Sequence, residues 1–203
     1  LDEALIYISK SLDIDSSNYE SWATKGEIFR RLNKNREALH CFDLSLQINP
    51  KQSKTWTKRG FLLINRYGQF IEAINSFDKG LELDPKDKNA IYFKAEAYFA
   101  LKNYKKAIDY YNLAKKNKKM RASSEYKIAR CYALLKDWDN AQAGFEKILK
   151  KDPSNTNIKI SLAYIMAMRG DLEASSQLYS TLVSENLTDV SILKNYISVL
   201  CAR

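Results

Sequence analysis

Glycine and proline are scarce, with six and three among 203 residues. That leaves too few breakers for the many tight turns of an all-β fold. The one histidine, His40, excludes a His-based metal cluster or His pair. Beside Leu39 on an apolar helical pattern, it reads as an outward, solvated residue. The three cysteines, Cys41, Cys131 and Cys201, lie far apart with no metal-ligand spacing, which excludes a disulfide-stapled scaffold. Each falls in a helical apolar pattern, so buried or half-buried reduced thiols and a cytoplasmic setting are expected. No apolar run approaches the roughly 18 residues of a membrane span. No Gly-rich phosphate loop of the GxGxxG or GxxxxGK type occurs. Leu1 is not an initiator methionine, and the expectation is a fragment or processed form of a longer protein. What is present is 45% hydrophobic and 28% charged residues, the balance of a folded chain.

The chain repeats itself. Stepping from Ala4 by 34 or 35 residues meets Ala38, Ala73, Ala107, Ala141 and Ser175. A second ladder is small throughout: Gly26, Gly60, Ala95, Ala129 and Ala163. A third is aromatic throughout: Phe42, Phe77, Tyr111, Phe145 and Tyr179. Pro50, Pro85 and Pro153 close three units in the same register. One extra residue enters between Gly60 and Ala73, and the turn around Tyr67 and Gly68 is the predicted place.

Within a unit the apolar spacing is helical. Trp22, Gly26, Phe29 and Leu32 share one helix face, and Ala38, Phe42 and Ser45 share another, with a polar turn at Asn33–Arg36. The unit is a helical hairpin. Its small residues mark a close helix crossing and its aromatics fill the volume beside it. A hairpin cannot bury both faces alone, so hairpins must stack. The predicted fold class is all-α, an α–α superhelix forming a single solenoid domain over 1–203. It comprises a half repeat at 1–18, repeats at 19–52, 53–87, 88–121, 122–155 and 156–189, and a terminal helix at 190–203. Leu5, Ile6 and Ile8 at one end, and Ile192, Leu193, Tyr196, Ile197 and Leu200 at the other, are expected to lack a covering helix.

The series Trp22, Gly26, Phe29, Ala38, Phe42, Pro50 and its continuation Trp56, Gly60, Ala73, Phe77, Pro85 resemble the tetratricopeptide repeat (TPR). The unit at 156–189 departs most, with Ser175 in the alanine place and Leu187 in the proline place, though Gly170-Asp171 keeps the turn. The resemblance implies a right-handed superhelix whose first helices line a concave groove. It further implies peptide or protein binding without chemistry by the repeats. Some members clamp the C-terminal carboxylate of heat-shock chaperones with a Lys/Asn, Asn and basic-pair pattern on three first helices; no register here reproduces it.

The residues themselves agree with a non-enzyme. Paired carboxylates such as Asp84 with Asp87 and Asp137 with Asp139 fall at turns and helix starts, where aspartate caps amide donors. Ser, Cys and Lys residues have no evident base partner, and no metal or cofactor is expected. Helical phase places Lys54, Lys58, Tyr92, Phe93, Glu96, Tyr126, Lys127, Arg130 and Tyr164 on the groove side. Aromatics supply contact area at low rotamer cost and cations select carboxylates. The expected ligand is therefore a peptide or partner subunit with acidic and apolar residues. The alternative use of these aromatics is packing between hairpins.

Lys and Arg number 33 against 24 Asp and Glu. Residues 88–121 carry ten basic and two acidic residues, nearly the whole net charge of +9. The run Ala114–Arg121 occupies the Asp-Pro place of other units and reads as a solvated turn, with contact to an acidic partner, anionic lipid or nucleic acid as the sharper alternative. Nucleic acid is not the expected partner. Self-association through the uncovered ends is a further option. The competing functional class is the substrate-positioning repeat segment of a larger enzyme whose catalytic segment lies outside 1–203.

Overall fold

Asparagine or aspartate stands before most helix starts and a left-handed residue after most first helices, and that punctuation divides the chain into helices. The computed structural model describes residues 1–185 and 190–202. Leu187 and the limits at 189 and 203 lie outside the described residues. Two compact units are distinguishable, Leu1–Asn103 and Tyr104–Arg203. The first contains α1 (Asp2–Ile14), α2 (Tyr19–Arg31), α3 (Asn35–Ile48), α4 (Ser53–Leu62) with a π-turn at Leu63–Tyr67, α5 (Phe70–Leu83) and α6 (Lys88–Ala100). The second contains α7 (Tyr104–Ala114), α8 (Lys118–Leu134), α9 (Trp138–Lys151), α10 (Thr156–Arg169), α11 (Leu172–Ser184) and α12 (Val190–Ala202). The fold is all-α among the described residues.

Helix starts are capped as their residue types dictate. The side chains of Asn18, Asp87, Asn117, Asp137, Asn155 and Asp171 each accept an amide hydrogen from the first turn that follows. Such a cap contributes about 1 kcal/mol. Asp84 likewise accepts from Lys86 N at 3.1 Å, whereas Asp139 pairs with Arg169 at 3.2 Å instead. Trp22 and Trp56 donate their indole N–H to the carbonyls of Ser16 and Pro50, at 2.9 and 2.8 Å. Each thereby ties the turn before its helix to the helix itself.

The hairpin turns share one device. Asn33, Gly68, Lys102, Lys136 and Gly170 all adopt positive φ. In four of them the next amide reaches back five residues, as in Lys34 N to Phe29 O and Asp137 N to Tyr132 O, both 2.9 Å. After α4 the reach is six, Gln69 N to Leu63 O at 3.0 Å. The extra residue is thus absorbed inside the widened π-turn Leu63–Tyr67, one step before the turn where the ladder count placed it.

The three ladders form the core. Ala38, Ala73, Ala107, Ala141 and Ser175 are fully buried, as are Phe42, Phe77, Tyr111 and Tyr179, with Phe145 at 1% exposure. Ala4, the one exposed member, lies on α1. Glycine is required where an aromatic lies directly above: a Cβ on Gly60 would stand 2.6 Å from the Phe77 ring. In the α8–α9 hairpin the glycine is on the other partner, since a Cβ on Gly144 would stand 2.8 Å from that of Ala129. In the α10–α11 hairpin Ser175 Oγ donates to Ala163 O at 2.7 Å.

Some expectations change. Ile6, Tyr7 and Ile14 of α1 and Leu193, Ile197 and Leu200 of α12 are exposed, but Ile192 is buried against α11 in the cluster of Tyr179 and Leu182. Cys41 and Cys131 are buried and Cys201 is exposed, because the outward face of α12 has no helix against it among the described residues. Burial pushes the Cys41 thiol up to about 11. His40 is exposed. No helix among the described residues is long and apolar enough to cross a membrane.

Candidate functional site

The groove-side residues fall into two sets, one in each unit. In the first unit, Lys54 and Lys58 extend from α4 into a recess of about 430 Å³. The turn before α6 supplies its other wall with Asp84, Lys86 and Asp87. Both carboxylates already serve local structure. Asp87 accepts from Asn89 N and Ala90 N and, through its second oxygen, from Thr57 Oγ1 at 2.8 Å. Lys58 lies 3.8 Å from Glu27, which Arg30 holds most closely at 2.7 Å. The Arg30 hydrogen bonds outweigh the opposing cost of burial, and with Arg31 and Lys58 they bring the Glu27 carboxyl down to about 2.

Beside this recess the aromatics are half-buried and in contact with one another. Phe93 meets Phe61 of α4 edge-to-face at 4.8 Å and Tyr92 at 5.6 Å, and Arg30 lies over Phe61 at 5.9 Å. Packing between α4 and α6 therefore accounts for much of Phe93. Glu96 is half-buried one turn further along α6.

In the second unit, Tyr126 packs edge-to-face on Phe145 at 6.2 Å, with the Arg130 guanidinium 5.7 Å from its ring centre. Lys127 is half-buried beside it. Arg130 also borders an apolar recess of about 270 Å³ between α8, α10 and α12. Its walls include Leu134, Ile160, Ile165 and Asn195, with Tyr164 at 46% exposure on the rim. Here an apolar hollow, a phenol and a cation converge, the combination that seats an apolar side chain next to a carboxylate. Of the nine predicted positions, Arg130 and Tyr164 share this recess and Lys54 and Lys58 share the other. Leu134, one helical turn beyond Arg130, lines this recess although helical phase alone does not put it among the groove-side positions.

A larger recess of the first unit, about 480 Å³, lies between α3 and α5, away from the predicted strip. Its floor is Arg59, which donates to Asp43 Oδ1 and Glu72 Oε1, both at 2.6 Å, and to Ser76 Oγ at 2.7 Å. Lys79 sits 4.5 Å from the Trp56 ring centre. These charges are spent on one another, so the recess ties three helices together.

Two family models match stretches of the chain. The family model described as Tetratricopeptide repeat matches residues 19–52, and that for Anaphase-promoting complex, cyclosome, subunit 3 matches residues 66–148. Anaphase-promoting complex subunit 3 of Schizosaccharomyces pombe is 23% identical over 163 residues, which cover 80% of this chain and 24% of that protein. The chain therefore spans about a quarter of that relative's length. A barley (Hordeum vulgare) protein, probable UDP-N-acetylglucosamine–peptide N-acetylglucosaminyltransferase SPINDLY, is 30% identical over 93 residues, 46% of this chain and 10% of that protein. Among solved structures, YrrB, a TPR protein with an unusual peptide-binding site, superposes with a TM-score of 0.77 at 15% identity, covering 96% of each chain.

Proposed function

The chain belongs to the tetratricopeptide repeat proteins, and from that premise we propose that it is a non-catalytic scaffold whose first-helix side holds a peptide or subunit of a protein partner. TPR proteins bind protein partners in general; the finer reading rests on one observation. The recess between α8, α10 and α12 offers an apolar hollow with Arg130 and Tyr164 at its edge. A leucine-sized side chain buried there gains about 1.5–3 kcal/mol. Arg130 favours a carboxylate next to that anchor. The peptide-binding site of YrrB, on the same fold, supports this use. In the first unit Lys54, Lys58 and Tyr92 form the corresponding contact surface, with Lys127 and Tyr126 extending that of the second.

Selection from a displayed random-peptide library tests the reading. Enriched sequences should pair an apolar residue with an acidic one, and Tyr164→Ala and Arg130→Ala should each weaken them about tenfold or more. Unchanged affinity in both variants, with circular dichroism intact, refutes the assignment of the recess. A second reading, a substrate-positioning repeat segment of a larger enzyme, draws on the likeness to the barley transferase. The residues flanking 1–203 in the full gene discriminate: a catalytic domain there favours it.

A further inference from the structure

We infer that the peptide held by the second unit carries an acidic stretch on one side of its apolar anchor, and that the basic end of the α8–α9 hairpin receives it. The inference rests on the recess reading above and extends it along α8. It starts from a departure in the repeat. The sequence Lys115-Lys116-Asn117-Lys118-Lys119 replaces the proline-containing turn of other units. Capped by the Asn117 side chain, α8 begins at Lys118 and runs 17 residues, against 13 or 14 in α2, α6 and α10. Half of the expected solvated turn is thus a helical turn that projects Lys118, Lys119 and Arg121.

Three features make this end an acceptor for negative charge. First, the opening turn of α8 contains no acidic residue. Cations there oppose the helix dipole, so local helix stability does not account for them. Second, the last turn of α9 lies alongside and adds Lys150 and Lys151, as the contact of Lys151 with Glu125 at 2.7 Å shows. Third, the acids nearby are already engaged. Glu125 is held by Lys147 and Lys151 and lies below its ordinary range, the lysines outweighing the larger single effect of burial. Asp152 accepts from Ser154 and Asn155. Lys115, Lys116, Lys118, Lys119 and Lys150 pair with no carboxylate among the described residues.

Position along the helix connects this patch to the recess. At 100° per residue, Lys119, Ser123 and Arg130 lie within about 20° of one line down α8. Eleven residues at 1.5 Å put Lys119 about 16 Å from Arg130 along the axis. An extended peptide covers that distance with about five residues. An apolar anchor beside Arg130 therefore places acidic residues four to six positions away opposite Lys119. Nucleic acid fits less well, because base stacking needs a free aromatic face and Tyr126 of α8 already contacts Phe145 and Arg130.

The probes are fluorescein-labelled synthetic peptides with one leucine and five glutamates, in both chain orders, and their glutamine counterparts. Fluorescence anisotropy is read at about 50 and about 300 mM salt. One glutamate peptide should bind about tenfold more tightly than its glutamine counterpart at low salt. High salt should remove the gain, and so should the combined variant Lys115→Glu, Lys116→Glu, Lys118→Glu, Lys119→Glu, whose changes suit the start of a helix. Tyr164→Ala should weaken both peptides alike. Equal affinity of the glutamate and glutamine peptides, with both still weakened by Tyr164→Ala, overturns the acidic subsite and leaves the recess reading standing. Indifference of both peptides to Tyr164→Ala overturns the recess reading. No measurable binding of either glutamate peptide, or tighter salt-sensitive binding of a labelled oligothymidylate, also overturns the inference.

Discussion

The two units solve the same contact with different chemistry. The residue just before the small position of each first helix runs Lys25, Arg59, Lys94, Ile128, Leu162. The residue just after the aromatic of each second helix runs Asp43, Asp78, Asn112, Glu146, Ser180. In the first unit these positions meet as ion pairs sixteen residues apart, Arg59 with Asp43 and buried Lys94 with Asp78. In the second, Leu162 is 4% exposed in a cluster with Ala129, Phe145 and Ile165. A paired charge is selective, because a lone buried partner is costly, while an apolar contact tolerates small shifts and contributes more by area. The ion pairs tie α3 to α4 and α5 to α6, whereas the second unit carries the apolar Ile128 and Leu162 at the first-helix places and an apolar recess beside them.

The comparison can be broken at its apolar half first. Leu162→Ala should cost about 2–5 kcal/mol, seen as a lower midpoint in urea, since it removes a nearly fully buried side chain from the cluster of Ala129, Phe145 and Ile165. Arg59→Leu should cost less, about 1–3 kcal/mol, because the carboxylates it abandons are partly solvated. Adding Asp43→Leu to that variant should recover part of the loss, as an apolar contact replaces the pair. A double variant no more stable than Arg59→Leu alone would show that Glu72 and Ser76, not Asp43, carry the arginine's contribution. Gly60→Ala should cost about 1–3 kcal/mol through its contact with Phe77. The reciprocal Ala129→Gly, at a fully buried position, should cost about 1–2 kcal/mol from backbone entropy and the lost methyl together.

The ladders, the hairpins and the buried aromatics were legible in the amino-acid order, because each depends on one residue type recurring in one phase. Features set by hydrogen-bond geometry were legible only in part. Counting located the extra residue between Gly60 and Ala73, but only the six-residue reach of Gln69 to Leu63 puts it within the helix. The early start of α8 was not legible, because α2 also lacks a proline before it yet starts in the usual phase, and the cap at Asn117 decides the outcome. The recess needed side chains from separate helices, with Arg130 and Tyr164 set 34 residues apart in sequence, so those two could be read singly but not as neighbours. The aspartate–cation pairing was present at a fixed spacing of sixteen, yet charge periodicity alone does not say whether two charges meet or face solvent.

The smallest expected effect concerns Glu27, where the first unit's electrostatics can be titrated. Its folded carboxyl lies at about 2 against an ordinary 4.5, so the folded chain holds the ionised form more firmly than the unfolded chain does. The stabilisation is complete above about 4.5 and declines as pH falls toward about 2, where both states bind the proton. Arg31 and Lys58 are well exposed, and solvent screening limits the contribution to about 0.5–1 kcal/mol. Melting temperatures at pH 7 and pH 3 isolate it. Wild type should lose more stability between these values than Glu27→Gln, which has no proton to gain at that position. Parallel losses in the two proteins would show that Glu27 does not carry the acid sensitivity of the first unit.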